Sequence, residues 1–228
     1  AMDNPGTTGG ADNIFMGYSA GGGTWTTAAS SYNVAIGNLS MDNALNGASG
    51  NTTIGYQCLT DLTEGDQNTA LGYRSLHQVT TGGDNIGIGA NVGFSMTTTA
   101  NTVLIGTSAG TAINSADANG TVAIGHEAGK SFTEGQYSTF VGYQAGYSSD
   151  TNNGNTFIGY LAGYEADAAT VVAHNNTYLG AFAGRFMDDG YDNVAIGYDA
   201  MTSNSDGAAN AVNRSIAIGR NAMASSVS

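Results

Sequence analysis

Basic residues are scarce in this sequence, which has five Lys and Arg against eighteen Asp and Glu and a formal net charge of −13. Binding to nucleic acid depends largely on cations that neutralise phosphates, so no nucleic-acid partner is expected. An anionic membrane surface is disfavoured for the same reason. No apolar run approaches the roughly 18 residues of a membrane-spanning helix, so direct membrane insertion is not expected either.

Cysteine and proline are each limited to one residue, and the cysteine is Cys58. A single cysteine excludes an intrachain disulfide and leaves the redox compartment open. No secretory signal is visible, and Ala1–Met2 resembles a remnant of recombinant expression. We therefore expect the chain to be a piece of a longer protein.

Charged residues make up only 10% of the chain, whereas glycine reaches 35 residues. The high glycine content would suit a disordered chain, but 41% hydrophobic residues is too many for one. Ordered chains rich in Gly, Asn and Thr build many tight turns between short strands. The composition therefore predicts an all-β fold.

A repeat of about seventeen residues organises the chain, and the clearest copies read NTTIGYQCL (51–59), NTALGYRSL (68–76), NTFIGYLAG (155–163) and NVAIGYDAM (193–201). A fixed short period is typical of solenoids, in which each repeat stacks on the next. One glycine anchors each copy, and positions in the repeat are numbered from it. The anchors are Gly17, Gly37, Gly55, Gly72, Gly89, Gly106, Gly125, Gly142, Gly159, Gly180, Gly197 and Gly219.

Three apolar columns precede the anchor glycine. Position −1 is apolar and position −3 is β-branched in every copy, as in Ile54 and Thr52. Residues two apart share one face of a strand, so we predict that these two columns point into the coil together. Position −2 is also mostly apolar, as in Ala35 and Phe157. Because both faces of the strand are apolar, we expect a neighbouring subunit to cover the second face.

Polar and small residues recur at further positions. Position −4 is Asn in eight copies and Ser or Thr in the others, which predicts a hydrogen-bonded ladder of side chains. Tyr follows the anchor glycine in half of the copies, and the third residue after it is small in all copies except at Val92. The anchor glycine itself predicts a bend with positive φ or a close backbone approach.

These columns predict a parallel β-solenoid of about twelve coils over residues 12–223, built as a flattened roll, with Ile54 and Leu71 in adjacent coils. Each coil should hold a strand of about five residues, a turn, a second short segment and a variable loop. At about 4.8 Å per coil the rod would be roughly 55 Å long. Residues 1–11 are expected to form a remnant or cap and 224–228 a tail. So thin a roll has a small core, which favours a homotrimer.

Two runs of residues resemble known fibre proteins. The core from Asn33 to Gly37, repeated from Asn193 to Gly197, resembles the head repeat of trimeric autotransporter adhesins. The longer form from Asn155 to Gly163 resembles repeats of phage tail fibres and related bacterial fibre proteins, whose chains often end in a self-cleaving intramolecular chaperone domain. The resemblance covers about residues 12–223. It implies a left-handed parallel β-roll, with three chains side by side, displayed outside a cell or on a virion.

Catalytic chemistry has little support in the sequence. The histidines His77, His126 and His174 fall at different repeat positions, and no P-loop, zinc-type Cys/His spacing or G-x-S-x-G motif occurs. We therefore expect no catalytic residue and no cofactor. A calcium site is one interpretation of the carboxylates clustered in one loop, and solvated loop carboxylates are the other. The cluster consists of Asp188, Asp189 and Asp192.

Ligand binding is expected where insertions break the repeat, since loops carry function on a rigid scaffold. The insertions are residues 21–32, 111–120, 164–175 and 202–212. The first contains Trp25, whose exposed indole would stack on a sugar, or which would instead cap the end of the roll. Tyrosines after the anchor glycine would present phenols to glycans or stack between coils and subunits. The candidates are Tyr56, Tyr73, Tyr143 and Tyr160.

The sequence therefore predicts a non-enzymatic, extracellular, homotrimeric fibre or adhesin module that attaches a cell or virion to a cell-surface or glycan receptor. A polysaccharide-degrading tailspike-like enzyme is one alternative, with two carboxylates supplied by different chains to one groove. An ice-binding β-solenoid is the other. That activity would need Thr pairs on an exposed column, whereas the Thr-containing column at position −3 is expected to face inward.

Overall fold

The computed structural model describes residues 10–23, 25, 28–149, 153–165, 173–187, 190–203 and 212–224. In this part of the chain twelve three-residue strands form one parallel sheet in chain order, so the predicted all-β parallel solenoid is confirmed. The strands are shorter than the predicted five residues. They are β1 (Ile14–Met16), β2 (Val34–Ile36), β3 (Thr52–Ile54), β4 (Thr69–Leu71), β5 (Ile86–Ile88), β6 (Val103–Ile105), β7 (Val122–Ile124), β8 (Thr139–Val141), β9 (Thr156–Ile158), β10 (Thr177–Leu179), β11 (Val194–Ile196) and β12 (Ile216–Ile218).

Helix is limited, within the described residues, to a single 3-10 turn at Ala116–Ala118 between β6 and β7. Ser115 caps it, because the Ser115 hydroxyl accepts a hydrogen bond from the backbone N–H of Asp117 at 3.1 Å. No helix among these residues has the length and apolar character needed to cross a membrane.

Adjacent strands pair position for position along the whole sheet. Ile54 pairs with Leu71 and Thr52 with Thr69, so these residues lie in adjacent coils as predicted. The same register holds at the two ends, where β1 pairs with β2 and β11 with β12. The insertions between strands therefore leave the stack unbroken.

The predicted orientation of the strands is wrong. The middle residue of each strand, at position −2, is buried, whereas the first and third residues are half-buried or exposed. Position −2 therefore faces the interior of the coil, and positions −3 and −1 face outward together. Both sets are apolar, so the alternation of the sequence did not distinguish the inner face from the outer one.

The interior is filled mainly by four columns: position −2, position +4, a residue seven or eight places after the anchor glycine, and the small residues at position +3. Positions −2 and +4 compensate each other in volume. Where position −2 carries a large side chain such as Phe157, position +4 is glycine, and a Cβ on Gly163 would overlap the Phe157 ring. Where position −2 is small, as at Ala195, position +4 is mostly Met or Leu, as at Met201. The two positions share a fixed space.

Two coils have small residues at both of these positions, and they are filled from the third column or a neighbouring coil. In one of them, Ala123 and Gly129 leave room for the rings of Phe132 and Phe140, whose centroids lie 5.3 Å apart. A Cβ on Gly129 would contact Phe140, which shows that this neighbouring ring occupies the space. The coils thus fill the same interior space with several different combinations of residues.

Positive φ angles bend the chain at four positions in every coil. The anchor glycines have φ between 124° and 142°, and positions −5, +2 and +4 are left-handed in all twelve coils, even at large residues such as Leu161 with φ of 54°. A Cβ on Gly142 would also overlap the carbonyl oxygen of Gly159 in the next coil. The anchor glycine therefore meets both predicted requirements, positive φ and a close backbone approach.

Asparagine side chains at position −4 form the predicted ladder. The Asn68 amide nitrogen Nδ2 donates to Oδ1 of Asn51 at 3.0 Å and to the carbonyl of Gly82 at 2.9 Å. Its own Oδ1 accepts from the backbone N–H and from Nδ2 of Asn85 at 3.1 and 3.0 Å. The buried amide thus uses both donors and both acceptor sites. The ladder runs from Asn13 to Thr102 and again from Asn155 to Ser215.

Replacing an anchor glycine should destabilise the protein far more than replacing another glycine with positive φ. We expect Gly142→Ala to lower the free energy of unfolding by about 3 kcal/mol or more, because backbone strain and a steric clash act together. In Gly50→Ala, φ is 71° and the new Cβ would meet only Gln67 Cγ at 3.5 Å, so a loss of about 1 kcal/mol is expected. Urea unfolding followed by circular dichroism compares the two. Equal losses would contradict the proposed clash.

Volume compensation can be tested by a double-mutant cycle at Phe157 and Gly163. Phe157→Ala should cost about 3–5 kcal/mol by leaving a cavity, and Gly163→Met about 1–3 kcal/mol by overpacking. The double variant reproduces the pair Ala195 and Met201, and Met201 has φ of 55° against 56° at Gly163. We expect the double variant to be more stable than the sum of the single effects by about 1–3 kcal/mol. Additive losses in urea unfolding would show that the two positions do not share one space.

Candidate functional site

The outer face of the sheet is a long surface whose side chains are half-buried or exposed in the single chain. It consists of the first and third residues of β1 to β12, and we call it the aliphatic face. Ile54 and Leu71 in its centre are 43% and 41% exposed. Each strand contributes two residues from Ile, Val, Leu, Met and Thr, so no coil interrupts the face with a charge.

The dimensions of the aliphatic face follow from the strands. Twelve strands at about 4.8 Å and three residues at about 3.3 Å give a stripe roughly 55 Å long and 10 Å wide. Its projected area of about 500 Å² is at the upper end for the largest apolar patch of a monomeric protein. Patches of this size are often functional.

Five of the twelve outward residues at position −3 are threonines, and this reverses one sequence argument. Ice binding was disfavoured because this column was expected to face inward, but it faces outward along the sheet. Position −1 beside it stays aliphatic or Met, so Thr-x-Thr pairs are absent from the described strands. The outward threonines are Thr52, Thr69, Thr139, Thr156 and Thr177.

The four predicted tyrosines lie in one exposed column and stack within it. Tyr56 and Tyr73 have ring centroids 5.6 Å apart with an interplanar angle of 12°, and Tyr143 and Tyr160 lie 5.4 Å apart at 17°. Neighbouring rings therefore cover each other's faces, which confirms the predicted stacking between coils. Their role as glycan ligands stays a prediction, and in this arrangement the rings offer mainly their edges and hydroxyl groups.

Each of the three histidines packs against an aromatic ring of a neighbouring coil. His77 lies 5.1 Å from the Phe94 ring, and His126 and His174 lie 5.2 Å from the rings of Tyr143 and Tyr191. Each of these contacts joins one coil to the next. The three histidines are thus parts of three separate contacts between coils.

A polar cluster lies beside the tyrosine column. The Lys130 ammonium and the Gln144 amide donate to the two carboxylate oxygens of Glu127 at 2.7 and 2.6 Å. The hydrogen bond from Lys130, followed by that from Gln144, lowers the pKa of Glu127, and the bond to Glu127 raises the pKa of Lys130. Both groups are therefore held charged at neutral pH, and Gln144 links this cluster to the next coil.

Every cation of the chain packs on an aromatic ring. The distances from the cationic centre to the ring centroid range from 4.2 to 6.0 Å. With only five Lys and Arg in the sequence, no basic side chain is left for a separate positive patch. The pairs are Arg74 with Tyr73 and Phe94, Lys130 with Tyr147, Arg185 with Phe182 and Phe186, Arg214 with Tyr191, and Arg220 with Tyr198.

Of the two interpretations of Trp25, burial as a cap agrees with the structure and an exposed sugar platform does not. Its side chain is only 3% exposed and packs edge-on against Phe15, with ring centroids 5.6 Å apart. A Cβ on Gly10 would also overlap the indole, so Gly10 lies directly against it. Trp25 therefore fills the core beside the first coil, as the alternative interpretation of a cap anticipated, and in this conformation its ring has no face open to a sugar.

The predicted calcium site falls mostly outside the described residues, because Asp188 and Asp189 lie there. Asp192 is described, and its carboxylate accepts a hydrogen bond from Asn175 at 3.1 Å and lies 3.7 Å from the guanidinium of Arg214. Within the described ranges, no group of three His, Cys, Asp or Glu side chains is close enough to hold a metal ion.

A cleft of about 590 Å³ opens beside the 3-10 helix. Its lining comes from three successive coils, since the residues precede β7, β8 and β9. The insertion 111–120 was predicted as a functional position and contributes to this cleft. The other lining residues were not predicted, because they lie in loops that share no chemistry between repeats. The lining consists of Asp117, Glu134, Gly135, Gln136, Tyr137 and Asn153.

Comparison of the chain with protein-family models, with curated proteins and with solved structures gives no match.

Proposed function

We propose that this chain is a non-enzymatic module of an extracellular fibre, in which three copies of a left-handed β-roll lie side by side and attach a cell or virion to a cell-surface or glycan receptor. The observation that carries the proposal is the uninterrupted aliphatic face. A soluble protein that exposes so long an apolar stripe needs a partner for it.

Further copies of the same chain fit this face best. The face is periodic along the rod, with two outward residues from every strand at the same spacing. Only a partner with the same period matches it over its whole length, and a parallel copy in register has that period. A net charge of −13 per chain opposes contacts elsewhere on the surface, whereas the aliphatic face carries no charge. The number of three copies is taken from the resemblance to fibre proteins, and a three-fold ring is one of the closed symmetries that oligomers adopt.

A rigid trimeric rod suits attachment because it displays identical sites three at a time. Linked sites that engage together raise the overall affinity without stronger single contacts. The stacked coils supply the rigidity, since each is joined to the next by ladder hydrogen bonds, the asparagine ladder and aromatic stacking. Weak receptor sites on such a rod are enough for firm attachment.

Ice binding is a second candidate, favoured by the outward threonine column on a flat parallel sheet. It requires the aliphatic face to be free, whereas the fibre proposal requires it to be covered. The oligomeric state and a thermal-hysteresis assay therefore separate the two functions. A monomer with thermal hysteresis supports ice binding, and a trimer without it supports the fibre module.

Charges on the aliphatic face should dissociate the trimer without unfolding the roll. Light scattering should give three times the 23.0 kDa chain mass for the unmodified protein and one chain mass for the variant Ile54→Lys with Leu71→Lys. The circular dichroism spectrum should stay unchanged, because both side chains point away from the core. The matched control, Thr81→Lys with Thr98→Lys, places the same charges on exposed loop residues and should stay trimeric.

An unmodified protein that is monomeric at micromolar concentration would contradict the assembly proposal. The attachment proposal is tested separately by measuring the binding of labelled trimer to intact cells and to a glycan array. Saturable binding that weakens by about 10² or more in the monomeric variant is expected from lost avidity. Binding to neither target would contradict attachment.

A further inference from the structure

The cleft beside the 3-10 helix exists because one insertion departs from the repeat. Anchor glycines Gly106 and Gly125 are 19 residues apart instead of 17, and the extra length forms the helix Ala116–Ala118. Asp117 lies on this helix and lines the cleft together with loop residues from the next two coils. The site is therefore built across three coils.

Tyr137 supplies an aromatic surface of a kind that the stacked tyrosines do not. Its side chain is 73% exposed, and at the same position of the preceding and following coils the residues are Gly120 and Gly154. With glycine on both sides, the Tyr137 ring has no aromatic stacking partner among the described residues. A ring whose faces are not covered by other rings can pack against the C–H groups of a sugar.

Polar side chains line the same cleft as this ring. The carboxylates of Asp117 and Glu134 are exposed, and no described side chain bonds to either of them. The backbone N–H of Gln136 donates to Oδ1 of Asn153 at 2.7 Å, which fixes the Asn153 amide at the edge of the cleft. Carboxylates and amides are bidentate partners for the adjacent hydroxyls of a sugar ring. The volume of the cleft, about 590 Å³, lies within the range of small-molecule sites.

We propose that this cleft binds a neutral saccharide, with the apolar face of one sugar ring on Tyr137 and its hydroxyls hydrogen-bonded to Asp117 and Glu134. The proposal rests on the proposed receptor-binding function and names its ligand class. Two carboxylates and the absence of any cation from the lining exclude acidic sugars by charge repulsion. Repetition of the cleft on each copy of the trimer supplies the multivalent sites.

The test compares the unmodified full chain with two single variants of it, Tyr137→Gly and the control Tyr32→Gly. Both tyrosines occupy position −5, with φ of 59° and 61°, and both are highly exposed, at 73% and 67%. Glycine suits this conformation, so both variants should fold. Of these two tyrosines, only Tyr137 lines the cleft. Binding is measured by saturation-transfer NMR with the methyl glycosides of glucose, galactose, mannose and N-acetylglucosamine, and with the matched methyl glucuronide and galacturonide.

The expected result is that at least one neutral glycoside binds, that the uronides bind at least 10-fold more weakly, and that only Tyr137→Gly weakens binding by 10-fold or more. The proposal is overturned if no neutral glycoside binds, if the uronides bind as well, or if Tyr32→Gly has the same effect. Cell attachment by the trimer is measured in parallel. If the Tyr137→Gly variant still attaches to cells, the cleft is not the receptor site, whereas the proposed fibre function is unaffected.

Discussion

Register between coils is the constraint on which the rest of this structure depends. Each strand has only three residues, so the ladder between two strands offers few backbone hydrogen bonds. The buried asparagine at position −4 adds side-chain bonds to the coils on either side and to the backbone of the same layer. Burying such an amide without these partners would cost about 1–3 kcal/mol of folding free energy. A shift of the strand register by one residue is therefore strongly disfavoured at every coil that carries this asparagine.

The anchor glycine enforces the same register sterically. Its carbonyl oxygen lies where a Cβ of the preceding anchor glycine would be, so the coils approach as closely as the backbone allows. Any residue with a Cβ would push the coils apart and break the ladder of asparagines. Glycine and asparagine therefore set the spacing, while the apolar columns fill the space that results.

The small interior explains why the outer face is apolar. Seventeen residues bent four times leave room for about one large side chain per coil, so the core alone buries little apolar surface per residue. Additional burial has to come from outside the coil. The aliphatic face offers such burial on every strand, and assembly through it would double the number of covered strand faces. The thin core and the proposed trimer are two consequences of one short repeat.

Much of this fold is readable from the sequence, because period and register follow from the spacing of one glycine. The asparagine ladder and the pairing of Ile54 with Leu71 were predicted from columns alone. The face of each strand that points inward was not predicted correctly. The inner residues, such as Ala and Phe, are no more apolar than the outer residues, such as Val and Ile. The inner face could have been identified from volume compensation between positions −2 and +4. Wherever position −2 is Phe, position +4 is Gly, which indicates that both positions share the interior.

Features outside the repeat were predicted less well. For Trp25 the sequence left open a buried cap and an exposed sugar platform, because a lone Trp in an insertion fits both, and its packing against Phe15 agrees with the cap. Tyr137 was not singled out, because position −5 carries Asp, Asn, Gly, Gln, Arg and one further Tyr in other coils and so has no common chemistry. Its exposure depends on two neighbouring glycines, a relation that appears only after the coils are stacked.

Disulfide formation between adjacent coils tests the central claim most directly. In a Cys58→Ala background, cysteines replacing Thr139 and Thr156 occupy paired positions of β8 and β9. Their Cα atoms should be about 4.8 Å apart, within the range that a disulfide spans. Cysteines replacing Thr139 and Thr177 lie two coils apart, at about 9.6 Å, beyond that range. The account predicts that mild oxidation closes an intrachain disulfide in the first pair only. Closure in the second pair, or failure in the first, would contradict the stacking of the coils.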